Sequence, residues 1–226
     1  MEKIRLEEVS LSLAGKKIFE NLNLVLNQGI HRVVSGQASG KSLFLQLLAG
    51  GLAPSTGRIF YGGVDVSAFC FEDWRELRLK IGYGFDYGGL LNNRSLEENL
   101  LLPLNYHNFF SPEESEERVL DFLEKFELGA VKSLRPSEVT GSQRKAAVVA
   151  RALLLRPEVL VLDDPTTGLR NSVKESFFKE LEREMHGGLS HLIYCSEDRE
   201  MNERFKPALI DCHGEMSGKM LGETAA

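Results

Sequence analysis

Residues 35–42 read Ser35-Gly36-Gln37-Ala38-Ser39-Gly40-Lys41-Ser42, between the apolar stretch 30–34 and a helical run that begins at Leu43. A strand, a loop of small residues and then Gly-Lys-Ser at the start of a helix is a layout that holds the phosphates of a nucleotide. Backbone N–H groups of the loop and of the helix N-terminus face the anion, Lys41 reaches the outer phosphates, and the Ser42 hydroxyl can ligate Mg²⁺. The pattern proposes ATP or GTP. It is imperfect, because Ser35 stands where G-x-x-x-x-G-K-[ST] begins with Gly.

A second chemical feature is Val159-Leu160-Val161-Leu162-Asp163-Asp164-Pro165, an apolar run that ends in two carboxylates. Buried parallel strands read as such runs, and ligands collect at their carboxyl ends. Asp163 is the candidate to hold Mg²⁺, and Asp164 the candidate base or orienter of an attacking water. The plainer alternative is a strand followed by an ordinary Asp-Pro turn.

The elements that must position these residues alternate along the chain. Period-two patterning over 3–13 and 18–26 predicts an antiparallel strand pair ahead of the loop. A strand at 57–61 is closed by Gly62-Gly63, a short helix covers 72–80, and a strand covers 81–85. Helical texture then runs from about 87 to 157. Ser95 with Glu98 forms a capping box for a helix over 95–105, and Ser111-Pro112 opens another. That helix carries an apolar stripe at Val119, Leu120, Phe122, Leu123 and Phe126, and a third helix covers 143–155. Strand, helix, strand, strand follow at 159–162, 172–185, 191–195 and 208–211. The expected domain is one α/β core (roughly 1–86 and 158–226) with a helical insertion at roughly 87–157.

Composition bounds the function. The 226 residues are 42% hydrophobic and 27% charged, ordinary for a globular chain long enough to bury a full core. A net charge of −6 argues against a nucleic-acid partner. Cys70, Cys195 and Cys212 have no metal spacing and are expected to be buried thiols in a reducing compartment. Residues 1–8 carry two Lys/Arg and three Glu without an apolar stretch, so no signal peptide is expected. No apolar run approaches the ~20 residues of a membrane span.

A third motif, Val139-Thr140-Gly141-Ser142-Gln143, leads into RKAAVVARAL (144–153) and then the strand that ends at Asp163. With it the chain resembles the ABC ATPase family from residue 4 to 214, whose signature L-S-G-G-Q precedes a helix ending in A-R-A-L. The resemblance implies a P-loop NTPase (RecA-like) α/β core with an N-terminal antiparallel β region and a helical subdomain. It also implies ATP and Mg²⁺ as ligands and a second ATPase subunit, in a homo- or heterodimer. In the family, Thr140, Gly141, Ser142 and Gln143 close on the γ-phosphate held by the other subunit. A transmembrane permease would bring an otherwise cytoplasmic chain to the inner face of the membrane.

Several positions depart from the family pattern. Leu13 aligns with the adenine-stacking aromatic. Asp86 aligns with the glutamine after the 81–85 strand and could still ligate Mg²⁺. Asp164 replaces the catalytic glutamate and is one methylene shorter; a misplacement of ~1 Å can cost about 10²-fold in rate. Glu197 (or Ser196, one residue away) aligns with the switch histidine, and His191 lies at the wrong end of its strand to replace it. Arg170 stands where the family has an interface aspartate, and it is expected to pair across the dimer with Glu197 or a γ-phosphate, or else to be a solvent-exposed loop residue. These changes imply an ATPase of reduced turnover.

Residues 88–91 (GGLL), Ser95–Leu100 and Leu102-Pro103-Leu104-Asn105-Tyr106-His107 look like the helical subdomain of MCE/Mla-type lipid-transport ATPases. Part of this text is also similar to lipoprotein-release and macrolide-export ATPases. Three functions compete: a transporter ATPase subunit, a catalytically degenerate nucleotide-binding subunit, and a non-transport ABC ATPase. The last usually carries two fused cassettes or long coiled-coil insertions, which are absent from this sequence.

Overall fold

The computed structural model describes residues 1–34, 40–70, 72–86, 88–107 and 110–211. The chain forms two compact units, Met1–Arg78 with the chain from Ser190 onward, and Leu79–Leu189.

In the first unit, β1 (Lys3–Leu13) pairs antiparallel with β2 (Lys16–Asn27), as its alternation predicts. Ala14 and Gly15 make the connection with φ of 48° and 77°. Two residues at positive φ suit the right-handed twist of the hairpin strands. After β3 (Gly29–Val34) and α1 (Lys41–Leu48), β4 (Thr56–Tyr61) pairs with the other side of β1, and the Gly62-Gly63 turn brings back β5 (Val64–Asp65). Ile4, Leu6, Val9 and Leu11 alternate inward with Phe19, Leu22, Leu26, Ile59 and Tyr61. Phe44, Leu45, Leu47 and Leu48 of α1 are buried as well. The Phe19 and Phe44 rings meet edge to face at 6.2 Å. The short α2 (Trp74–Arg78) places Trp74 against Tyr61 and Phe69.

β3 also lies between two parallel neighbours of the same unit, β8 (His191–Cys195) and β9 (Ala208–Asp211). Sequence periodicity did not reveal α7 (Arg199–Phe205), a helix of only seven residues capped by Asp198. His31 of β3 and His191 of β8 stack with ring centroids 6.4 Å apart. Their Nε2 atoms bond the Asn27 and Leu26 carbonyls at 2.8 and 3.3 Å. Burial disfavours the imidazolium form and pulls His191 down to about 4, with His31 lowered for the same leading reason. A folded pKa below the unfolded one contributes stability above pH ~6.5 that is lost as pH falls toward 4. The urea midpoint should therefore decline from pH 7 to pH 5, and His191→Asn should make that decline shallower.

In the second unit, β6 (Ile81–Gly84) and β7 (Val159–Asp163) pair in parallel, Gly84 opposite Leu162. Every residue of β7 is buried, as its unbroken apolar run requires. α5 (Gly141–Leu153) is buried from Lys145 through Ala150 and again at Ala152 and Leu153, and it approaches β6 closely. A Cβ at Gly82 would meet the Ala152 carbonyl oxygen at 2.1 Å, so glycine is what admits the helix.

The helices α3 (Leu96–His107) and α4 (Pro112–Lys125) start at the boxes the sequence predicts. Ser95 and Glu98 cap each other reciprocally, as do Ser111 and Glu114. Of the predicted α4 stripe, Val119, Phe122, Leu123 and Phe126 are buried, whereas Leu120 is exposed on the helix's outer side. α4 is tied to α6 (Asn171–Gly187) by charges: Arg118 lies 3.7 Å from Glu184 and Lys125 3.4 Å from Glu180. The expectation of buried cysteines holds for Cys195 and fails for Cys70, which is exposed in a loop; Cys212 lies outside the described residues.

Candidate nucleotide site

Lys41 and Ser42 are the first two residues of α1, whose N-cap is Gly40 at φ 82°, ψ 12°. Glycine takes this left-handed conformation at no steric cost. A Cβ here would also fall 2.5 Å from the Ile18 side chain. No side chain caps the helix, and the first intrahelical bond runs from the Phe44 N–H to the Gly40 carbonyl at 2.8 Å. The amides of Lys41, Ser42 and Leu43 therefore stand at the positive end of the helix dipole, with Ser42 exposed. Ser35, Gly36, Gln37, Ala38 and Ser39 lie outside the described residues.

In the other unit, Asp163 ends β7 with 7% exposure, and Asp164 follows at φ 46°. Left-handed backbone is uncommon for a residue with a side chain, and aspartate is among the types that tolerate it. The Thr167 hydroxyl donates to Asp164 Oδ2 at 2.7 Å, fixing that carboxylate over the following turn. Asp86 lies just beyond β6. Its Oδ1 and its carbonyl oxygen accept from Lys145 Nζ at 2.8 and 3.0 Å, and the Asp163 carbonyl lies 3.5 Å from the same ammonium. The sequence reading missed Lys145, because a lysine in the first turns of an amphipathic helix reads as solvated.

Thr140 is the N-cap of α5. Its hydroxyl accepts from the Gln143 N–H at 3.3 Å while Gln143 Oε1 accepts from the Thr140 N–H at 3.0 Å. The Arg144 guanidinium donates to the Pro136 and Val139 carbonyls at 3.0 and 2.7 Å, holding the turn ahead of the helix. The signature thus presents an ordered helix start with Gly141 exposed and Ser142 half-buried. Thr140→Ala should cost about 0.5–2 kcal/mol through loss of the cap, read as a lower denaturant midpoint with an unchanged slope.

The remaining sequence-selected residues have local partners. Leu13, the last residue of β1, is partly exposed. Glu197 Oε2 accepts from the Arg32 guanidinium at 2.7 Å, and Arg32 Nε is buried with no hydrogen-bond partner among the described residues. Arg170 lies 3.7 Å from Glu127, both well exposed, so within the chain its charge has a neighbour other than Glu197. His191 is fully buried at the start of β8.

Ser42, at the start of α1, and Asp163, at the end of β7, each carry an oxygen donor of the kind that hard divalent cations accept. Among the described residues, no three His, Cys, Asp or Glu side chains converge into a self-sufficient metal cage.

Residues 19–167 match the family described as ABC transporter, and the chain belongs to that family. It is 30% identical over 186 residues to the ABC transporter ATP-binding protein YtrE of Bacillus subtilis, an alignment covering 80% of this chain and 79% of YtrE. It is 31% identical over 179 residues to the probable ribonucleotide transport ATP-binding protein mkl of Mycobacterium leprae, covering 79% of this chain and 51% of mkl. The intermembrane phospholipid transport system ATP-binding protein MlaF of Haemophilus influenzae is 30% identical over 166 residues, covering 73% and 63%. The chain thus spans about half the length of the mycobacterial relatives. A dimeric ATP-binding cassette solved in a post-hydrolysis state with ADP and Pi superposes with a TM-score of 0.83 at 23% identity. That match covers 97% of this chain and all of the other, and it establishes the P-loop NTPase fold.

Proposed function

We propose that this chain is the ATP-binding subunit of a membrane transporter, dimerising around Mg-ATP to drive a permease. The observation that carries this reading is the ordered set of three motifs within one ABC fold: Gly40-Lys41-Ser42 opening α1, Thr140–Gln143 opening α5, and Asp163-Asp164 ending β7. On this reading Lys41, the α1 amides and Ser42 would hold the phosphates, Ser42 and Asp163 are each candidates to ligate the cation, and Leu13 would pack on the adenine. Bound Mg²⁺ supplies neutralisation of phosphate charge. Asp164 orients the attacking water and accepts its proton. Glu197 is the further catalytic candidate, and its bond to Arg32 offsets the negative charge that it brings.

Thr140–Gln143 would complete the site of a second ATPase subunit, identical or different, and the permease would hold the pair at the inner face of the membrane. The name of MlaF and the text of residues 88–107 favour a lipid as the transported molecule. Among the described residues no helix is long and apolar enough to cross a membrane, so on this reading the pathway is built by the permease. The relatives lend no support to a subunit that binds nucleotide without using it.

Sedimentation of the purified Asp164→Asn variant tests the dimer. Mg-ATP is expected to convert monomer to dimer, and a Lys41→Ala change added to that variant is expected to prevent the conversion. A monomer at saturating Mg-ATP would contradict a sandwich of two identical subunits.

A further inference from the structure

Resting on this nucleotide-binding reading, we propose that Lys145 is a positioning residue that takes Asp86 as its counter-ion, keeping that carboxylate from serving as a ligand of the nucleotide's cation. The observations lie within one compact unit. Lys145 projects from the second turn of α5 and is 8% exposed. Its three donors reach Asp86 Oδ1, the Asp86 carbonyl and the Asp163 carbonyl, at 2.8, 3.0 and 3.5 Å. An ammonium removed from water needs its opposite charge and its full set of acceptors, and Lys145 has both here. Asp86 Oδ1 is therefore occupied by a buried cation, and moving it onto a metal would leave that cation without its counter-charge.

The same contact has a mechanical consequence. Asp86 follows β6 and Asp163 ends β7, and these two strands are neighbours in parallel register. One side chain of the signature helix bonds both strand exits, so the position of Asp163 depends on the helix that carries Thr140–Gln143. Asp163 is left as the candidate carboxylate for the cation, with its backbone carbonyl 3.5 Å from the Lys145 ammonium. Two acidic side chains at adjacent strand ends would otherwise put two negative charges there, and Lys145 offsets the charge of one of them.

The test is a cycle of Asp86→Asn, Lys145→Gln and the double variant in the full chain, with two readouts. Without nucleotide, each single change is expected to lower the melting temperature by at least about 4 °C, and the double variant to recover most of that loss. With a fluorescent ATP analogue titrated at a series of Mg²⁺ concentrations, Asp86→Asn should leave the Mg²⁺ midpoint within about twofold of the parent. Lys145→Gln should weaken nucleotide binding about tenfold by uncovering the Asp86 charge, and the added Asp86→Asn should restore it. A tenfold rise in the Mg²⁺ midpoint of Asp86→Asn, or additive losses in the double variant, would overturn the assignment while parent binding stands. A parent chain that fails to bind the analogue would instead overturn the nucleotide reading itself, and the metal part of this inference with it.

Discussion

Asp164→Asn is expected to lower ATP turnover about 10²–10⁴-fold while leaving ATP affinity close to that of the parent. The substitution is close to isosteric, and the site favours it structurally. Asp164 sits at φ 46°, where asparagine is as well tolerated as aspartate. The asparagine carbonyl can still accept the Thr167 hydroxyl that Asp164 Oδ2 accepts at 2.7 Å. What disappears is the negative charge and the ability to take a proton, so a loss of rate with retained affinity separates a base from a scaffold residue. Single-turnover hydrolysis beside equilibrium nucleotide binding reads both quantities. A variant with parental turnover would remove Asp164 from the chemistry.

Lys41→Ala is expected to weaken Mg-ATP binding about 10–10²-fold, because a charge-assisted bond to the phosphates is worth about 1.5–3 kcal/mol. The α1 N-terminus itself should survive. Alanine has the highest helix propensity, and the cap is the backbone of Gly40 rather than a side chain. The residual affinity then measures what the helix amides and Ser42 contribute without the ammonium. Isothermal titration of both proteins, with melting curves as the control for folding, gives the comparison. Affinity unchanged on removal of Lys41 would mean that Gly40-Lys41-Ser42 is an ordinary helix start.

The backbone plan was legible in the sequence wherever periodicity or capping chemistry was strong. The alternation of β1, the unbroken apolar run of β7 and the Ser95 and Ser111 caps each specify an element by local rules, and each forms where expected. The short α7 escaped because two turns do not establish a period. Leu120 was assigned inward by a stripe that is wider in sequence than the buried arc of α4. Cys70 was assigned inward by residue type alone, and its loop leaves it exposed.

The site was legible as motifs but not as charge pairs. Asp86 and Glu197 read as carboxylates added where the resembled family has none. Their partners, Lys145 and Arg32, are 59 and 165 residues away in sequence, a separation that no local rule spans. The buried Asn99 was hidden for a similar reason. It accepts from the Leu91 N–H at 2.7 Å and donates to the Leu91, Arg94 and Ser95 carbonyls, yet in the sequence it is one more polar residue on a helix. The resemblance located the motifs and their departures from the family pattern; the three-dimensional pairing determines which acidic groups there are neutralised.

Phosphate release by the purified chain with ATP, with and without Mg²⁺, tests the central claim most directly. The expected result is steady, Mg²⁺-dependent release that falls to background in Lys41→Ala and in Asp164→Asn. Release that is absent at saturating Mg-ATP, or that persists in both variants, would contradict the assignment of these residues to an ATPase site.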